Sequence, residues 1–245
     1  MPALWHLAGL DEVEFGGSSS LRSRRLCSGP VSATTAATPI SLTVPDAVER
    51  IRARNDELHA FVATCLPEAL VEHGARAKEK KRSALHGVPY SLKDEWEAKG
   101  MPTTGGSWRF RDRVSTHDGP VRRAFDAAGA VLLGKTNLSD LGLVPDAGSW
   151  VGGETRNPHD LTRTTGGSSG GAAAAVLDGM SAIDWGTDIG GSIRIPAAHT
   201  GIVGVRLSSE AWPIEEIFPD VPAELSWMCA QGPLVPTLAE ARIAL

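Results

Sequence analysis

Two serine clusters flanked by glycines are the residues of this sequence best suited to covalent chemistry. Residues 166–171 read GGSSGG, and residues 190–192 read GGS. A serine hydroxyl attacks a carbonyl carbon only when a base removes its proton and hydrogen-bond donors stabilise the oxyanion that forms. Glycines leave the neighbouring backbone N–H groups unobstructed, so these groups can converge on a negative charge. The clusters therefore indicate nucleophilic catalysis or anion binding.

Regular elements around the clusters place both groups of serines at the ends of packed segments. Residues 171–177 are mostly alanine, a strong helix former, and Asp178-Gly179 supplies a stop. Residues 181–185 then predict a short buried strand. A run of glycine and serine alone can be a flexible linker. The regular segments on both sides favour ordered loops instead.

The base that such a serine needs is not obvious among the histidines. The sequence holds seven, none within the glycine-rich blocks, and only His199 lies close to Ser192 along the chain. His199 follows the segment IPAA, so we expect it to pack beside a helix. Residues 87–92, GVPYSL, predict a short strand that delivers Lys93 and Asp94 at its end. Active groups at strand ends are typical of α/β folds.

Four sequence blocks together resemble the amidase signature enzymes. They are LHGVPYSLKD, Gly134-Lys135-Thr136-Asn137, GGSSGG and GTDIGGSIRIPA, in that order. Any one block is weakly specific, whereas the combination is highly specific. The resemblance extends from about Asp46 to Val205. It implies hydrolysis of a carboxylic amide through a serine acyl-enzyme.

The resemblance also implies which residues carry the catalysis. Lys93 corresponds to the base, Ser168 to a bridging serine preceded by a cis peptide bond, and Ser192 to the nucleophile. A lysine serves as a base only in its neutral form, which burial favours.

The remaining residues of the two serine blocks are expected to support this chemistry. The backbone of Ile189, Gly190 and Gly191, continuing to the nucleophile, predicts an oxyanion hole because glycines let the N–H groups converge. Ser169 either joins the same hydrogen-bond network or caps the alanine-rich helix.

Three charged residues in these blocks are interpreted as structural. Asp188 and Arg194 flank the candidate nucleophile, and we expect them to pair and brace its loop. Lys135 is expected to lie in a turn that follows a buried strand at residues 130–133.

Residues 129–136 also fit GxxxxGK[ST], the phosphate loop of nucleotide hydrolases. That loop requires a strand before the first glycine and a helix after the Ser/Thr. Here a predicted helix, residues 120–128, precedes Gly129, and the four residues that follow Gly129 themselves predict a strand. A nucleotide binder is therefore a distant alternative.

The composition is ordinary for a soluble globular protein. Of the 245 residues, 42% are hydrophobic and 22% charged, and the formal net charge is −5, so nothing suggests direct binding to nucleic acid or to an anionic membrane. No apolar run approaches the roughly 18 residues of a membrane span. Three widely spaced cysteines form neither a metal-binding pattern nor a disulfide framework. We therefore expect no metal, no cofactor and a reducing, cytoplasmic compartment.

We predict an α/β fold in which a mixed β-sheet core is covered by α-helices on both sides. Residues 1–45 match the family poorly and predict a loop-rich segment with a short helix near residues 21–26, whereas residues 46–245 predict an amidase signature domain. Members of the family are usually longer. We therefore expect the C-terminal part of the fold to be missing.

Two questions remain open. The chain is either a hydrolase of a small-molecule amide or an incomplete amidase fold without catalysis. A hydrolase can release ammonia to water or, like transamidating relatives, pass it to a partner subunit. A fold without its later strands leaves apolar surface uncovered, so association with another copy or with a partner subunit is expected.

Overall fold

The computed structural model of the chain describes residues 40–209, 212, 214 and 216–245. Residues 1–39, which include the short helix predicted near residues 21–26, lie outside the described residues. Among the described residues, no helix combines the length and the hydropathy that crossing a bilayer requires.

The described part of the chain forms seven α-helices and ten β-strands. The helices are α1 (Val44–Leu58), α2 (Leu66–Arg76), α3 (Pro120–Ala128), α4 (Gly170–Leu177), α5 (Arg194–Thr200), α6 (Ala223–Ser226) and α7 (Leu238–Ala244). The strands are β1 (Phe61–Thr64), β2 (Pro89–Lys93), β3 (Val131–Thr136), β4 (Gly148–Ser149), β5 (Gly153–Glu154), β6 (Arg156–Asn157), β7 (Asp160–Thr164), β8 (Ile183–Asp188), β9 (Val203–Gly204) and β10 (Ala230–Val235). Two short 3₁₀ helices cover Trp108–Phe110 and Asp140–Gly142.

Six strands form one mixed sheet in the order β1-β3-β2-β8-β10-β9. β2 runs parallel to both β3 and β8, whereas β1 pairs antiparallel with β3, and β10 pairs antiparallel with β8 and β9. The carboxyl ends of parallel strands meet at one edge of a sheet. Lys93, the last residue of β2, and Asp188, the last residue of β8, therefore lie at the same edge.

Apolar side chains cover both faces of this sheet. Successive residues of a strand point to opposite faces. Leu132 of β3 belongs to a cluster with Phe125 of α3 and Ala241 of α7. Its neighbours Val131 and Leu133 belong to a second cluster, with residues of α1, α2 and α4. The prediction of an α/β fold with helices on both sides of a mixed sheet is confirmed.

α1 begins two residues before the predicted start of the domain at residue 46. Its N-cap is Thr43, whose Oγ1 accepts the N–H of Asp46 at 3.3 Å and donates to the Asp46 carboxylate at 2.6 Å. Asp46 lies in the first turn, where a negative charge is favoured by the helix dipole. The helix therefore starts ahead of the predicted domain boundary at residue 46.

One other boundary differs from the prediction. β3 does not end at residue 133 but continues through Gly134 to Thr136. A Cβ at residue 134 would lie 2.3 Å from the carbonyl oxygen of Ala63 in β1. This glycine thus permits a close approach between β3 and β1. The sequence did not predict β1, because its four residues, FVAT, form too short a segment.

Lys135 is fully buried in β3, and its predicted place in a turn is wrong. Its Nζ donates to Asp94 Oδ1 at 3.2 Å, to the Trp96 carbonyl oxygen at 2.6 Å and to Thr103 Oγ1 at 3.0 Å. Burial lowers the pKa of Lys135, and the facing Asp94 carboxylate opposes that shift. The lysine ties β3 to the segment that follows β2.

Replacing Lys135 by methionine is expected to lower the free energy of unfolding by about 3–5 kcal/mol, because Asp94 is left as a buried charge without the opposite charge that faces it. Urea unfolding of the two proteins measures this difference. Lys99→Met, at an exposed position, serves as the control and should stay within about 0.5 kcal/mol of the parent chain. A loss of less than about 1 kcal/mol for Lys135→Met would contradict a buried ion pair in this place.

Candidate active site

Lys93 lies at the carboxyl end of β2 with only 1% of its side chain exposed. Its Nζ is 2.9 Å from Ser168 Oγ and 3.1 Å from Thr187 Oγ1. β2 is flanked by β3 and β8 in the sheet, so the lysine is surrounded by protein rather than by water. An amine at this distance from a hydroxyl can exchange a proton with it directly.

The loop before α4 carries Ser168 toward this amine. The peptide bond between Gly167 and Ser168 is cis. A Cβ at residue 167 would lie 1.9 Å from the carbonyl oxygen of Asp146, so only glycine fits where the loop passes that backbone. The next residue, Ser169, donates its N–H to the carbonyl oxygen of Ser192 at 3.1 Å. This bond holds the two glycine-rich loops side by side.

A carboxylate at the end of β8 organises the second loop. Asp188 accepts the N–H groups of Gly191 at 2.8 Å and of Ile193 at 3.1 Å, and Arg194 Nε and Nη2 each lie 2.9 Å from its oxygens. Burial disfavours the charged form, but the hydrogen bonds from Arg194 and from the loop N–H groups outweigh it and lower the pKa of Asp188 to about 2. The ionised carboxylate thus fixes the loop that carries Ser192.

One backbone amide of the predicted oxyanion hole, that of Gly191, already makes a hydrogen bond within the protein. Gly191 donates its N–H to the carboxylate at the end of β8, whereas in the described part of the chain the amides of Ile189, Gly190 and Ser192 make no hydrogen bond. Gly191 is needed for its shape: its φ is +119°, and a Cβ there would lie 2.6 Å from the side chain of Ile195. The unoccupied N–H groups are donors that a developing oxyanion could use.

Ser169 occupies the N-cap position of α4 but does not cap the helix with its side chain. Its Oγ lies 3.5 Å from the carbonyl oxygen of Thr187. The side chain of Ser169 therefore contacts β8 rather than capping the helix, and a part for it in the catalytic hydrogen-bond network stays a prediction.

The candidate catalytic side chains share one cavity of about 260 Å³ at this edge of the sheet. Lys93, Ser168 and Ser192 all line it. The rest of its wall is largely apolar and includes Leu141, Leu143, Ile189, Ile217, Pro219, Val221, Pro222 and Leu225. The cavity is somewhat smaller than the about 300–1,000 Å³ usual for ligand pockets. A small molecule with an apolar part is therefore the kind of ligand that fits.

Two polar residues that the sequence did not single out complete the surroundings of Lys93. Glu95 Oε2 is 3.4 Å from Lys93 Nζ, and Thr187 donates its hydroxyl to Glu95 Oε1. The only signal for them was position: Glu95 follows the Lys-Asp pair directly, and Thr187 precedes Asp188 in the second serine block.

The two alternative chemistries considered for the sequence find no matching geometry. His199 is exposed on α5 and is not among the residues that line the cavity. Gly129 ends α3 with a φ of +85°, and β3 follows almost at once. The Nζ of Lys135 is bound inside the protein by carbonyl and side-chain oxygens. No loop at residues 129–136 is therefore free to wrap a phosphate.

Comparison with known proteins identifies the family. The sequence model of the family described as Amidase matches residues 43–245. The chain belongs to the amidase family, and its fold is that of the amidase signature enzymes.

Similar proteins include both hydrolases and one component of a transferase. The chain is 41% identical over 177 residues to a glutamyl-tRNA(Gln) amidotransferase subunit of Anaeromyxobacter dehalogenans (strain 2CP-C), a match that covers 70% of this chain and 36% of the relative. It is 36% identical over 209 residues to indoleacetamide hydrolase of Bradyrhizobium diazoefficiens, covering 83% and 40% respectively. The crystal structure of peptide amidase from Stenotrophomonas maltophilia superposes with a TM-score of 0.74 at 32% identity, over 83% of this chain and 43% of that one. The chain thus spans less than half the length of these relatives.

Proposed function

We propose that this chain hydrolyses a carboxylic amide through an acyl-enzyme on Ser192, with Ser168 as the bridge and Lys93 as the base. The observation that carries the proposal is the contact of 2.9 Å between Lys93 Nζ and Ser168 Oγ, in a cavity that Ser192 also lines. The family of the chain and the buried position of the lysine support it further.

Acylation proceeds through one proton relay. The Ser192 oxygen bonds to the carbonyl carbon while its proton passes to Ser168 Oγ, and the Ser168 proton passes to the neutral amine of Lys93. The carbonyl electron pair moves to oxygen, where the N–H groups of Ile189 and Gly190 stabilise the charge. The C–N bond then breaks, and the proton returns through Ser168 to the leaving nitrogen. Water then attacks the acyl carbon and passes a proton through Ser168 to Lys93; the bond from that carbon to the Ser192 oxygen breaks, the proton returns to Ser192, and the acid is released.

The fate of the leaving nitrogen separates two versions of this function. The name of the amidotransferase relative describes one part of a larger assembly, whereas the indoleacetamide hydrolase relative is named for hydrolysis of an amide. We propose that the nitrogen leaves as ammonia into water and is not passed to a partner subunit. The side chains that line the cavity are largely apolar and suit the apolar acyl group of a hydrolase substrate. Association with a partner subunit or a second copy remains a separate proposal. The incomplete-fold alternative predicts no turnover at all.

The direct test is release of ammonia from a neutral primary amide, with phenylacetamide as the probe. The purified chain should turn it over, and added hydroxylamine should divert the acyl group to the hydroxamate, which reports an acyl-enzyme. Absence of both products at any chain concentration would favour the incomplete fold.

The lining of the cavity predicts a preference for neutral apolar acyl groups over glutamine. Apart from Lys93, which already faces Glu95, the charged lining residue is Asp220, so the carboxylate of glutamine meets no unpaired cation among the described residues. We expect kcat/KM for phenylacetamide to exceed that for glutamine by about 10²-fold or more, since an unpaired charge is costly to bury. Equal values would contradict this interpretation of the cavity.

A single substitution in the apolar wall refines the same measurement. Leu225→Asn should raise KM for phenylacetamide about tenfold with little change in kcat, because it removes apolar contact without touching the reacting groups. Leu238→Asn on α7, outside the cavity lining and also exposed, is the matched control and should leave both constants unchanged.

A further inference from the structure

The surroundings of Lys93 contain a carboxylate that the proposed relay does not use. Glu95 is buried, with one oxygen 3.4 Å from Lys93 Nζ and the other accepting the hydroxyl of Thr187. The oxygen of the same hydroxyl lies 3.1 Å from Lys93 Nζ. Lys93, Thr187 and Glu95 thus form a closed triangle of contacts beside Ser168.

The direction of these hydrogen bonds constrains the amine. A hydroxyl has one proton to donate, and Thr187 donates it to the carboxylate, so toward Lys93 it can only accept. One N–H of Lys93 is therefore directed at Thr187. A neutral amine has two N–H groups and one lone pair. With an N–H fixed toward Thr187 and the carboxylate accepting beside it, the lone pair is left to face the Ser168 hydroxyl.

The carboxylate has a second consequence when the proton arrives. Transfer from Ser168 converts the Lys93 amine into an ammonium group, and a carboxylate at 3.4 Å stabilises that charge.

We infer that Glu95, acting through Thr187, is a positioning residue that aims Lys93 at Ser168 and stabilises the ammonium group that the relay forms. This inference rests on the proposed function of Lys93 as the base. Other charged or titratable groups near this pair are contributed by neighbouring segments: Asp184 and Asp188 on and at the end of β8, Lys135 on β3, and Arg206, Asp220 and Cys229 from the segments that follow α5. Within the described part of the chain, the carboxylate in ion-pair contact with Lys93 Nζ is that of Glu95.

The chain offers a matched control two residues farther on. Glu97 is also buried and also paired, but with Arg113 and away from the cavity. Burial opposes ionisation of Glu97, while its hydrogen bonds with Arg113 and Ser115 lower its pKa. Its role is to hold the segment after β2 in place, so it reports what loss of a merely structural carboxylate does.

The experiment measures the rate of covalent labelling of the full 245-residue chain by a fluorophosphonate. In Glu95→Gln the labelling rate should fall by about 10–100-fold, because the ammonium formed during transfer loses its stabilising charge. Glu97→Gln should leave the labelling rate unchanged, whatever it does to thermal stability.

Two variants of Thr187 test the path through the hydroxyl. Thr187→Val should lower the labelling rate about as much as Glu95→Gln, and Thr187→Ser, which keeps the hydroxyl, should restore it. A Glu95→Gln chain that is folded by circular dichroism and is labelled at the parent rate overturns the inference while leaving the base assignment intact. If labelling of the parent chain does not depend on Lys93 at all, the proposed function fails and the inference fails with it.

Discussion

Replacing Ser192 by alanine is expected to lower the rate of amide hydrolysis by roughly 10⁴–10⁶-fold, because it removes the hydroxyl that we propose forms the acyl-enzyme. Stability should change little, since Ser192 is only partly buried and its hydrogen bond with Ser169 uses the backbone carbonyl oxygen. The measurement is kcat for phenylacetamide, with thermal unfolding of both proteins beside it.

Ser169→Ala is the control for this substitution. Ser169 lies next to the bridge, and its Oγ makes one long contact of 3.5 Å with the Thr187 carbonyl oxygen. A decrease of about tenfold or less is therefore expected, consistent with loss of a single weak hydrogen bond. If Ser169→Ala abolished turnover and Ser192→Ala did not, the assignment of the nucleophile would be wrong.

Removing the base gives the second large effect. Lys93→Ala should lower kcat by about 10²–10⁴-fold, because loss of a general base removes that much of the rate. Ser168→Ala should cost about as much, since the only path from the nucleophile to Lys93 that we propose runs through this hydroxyl. The double variant should be no slower than the slower single variant by more than a small factor, because the two residues act as one unit.

The additivity of these changes is the sensitive part of the measurement. Independent contributions would multiply, and a double variant about 10²-fold or more below the slower single variant would contradict the relay. Lys99→Ala, which removes an exposed lysine, controls for loss of positive charge and should leave kcat unchanged.

Much of this molecule could be predicted because its chemistry lies in short contiguous blocks. Strand β2 and the loop before α4 follow from apolar and glycine-rich segments, so the sequence already suggested that Lys93 stands at a strand end and that Ser168 and Ser192 stand on loops. The α/β class followed from the alternation of short apolar segments with helical patterns. The catalytic roles of these three residues remain predictions.

The parts that were missed depend on contacts across the sheet. Glu95 and Thr187 meet because β2 and β8 are parallel neighbours. The spacing of residues along the sequence does not show which strands pair. Lys135 was misinterpreted for a related reason. Lysine is almost never fully buried without a partner, so a lysine after an apolar run suggests an exposed turn, and only the positions of Asp94, Trp96 and Thr103 explain its place in the interior.

The nucleophile itself is the central claim, and covalent mapping tests it most directly. The 245-residue chain is incubated with a fluorophosphonate, digested, and its modified peptide is sequenced by mass spectrometry. Our account predicts a single adduct on Ser192, absent from Ser192→Ala and strongly reduced in Lys93→Ala. An adduct on Ser168, Ser169 or a serine elsewhere in the chain, or an adduct on Ser192 that forms at full rate without Lys93, would contradict it.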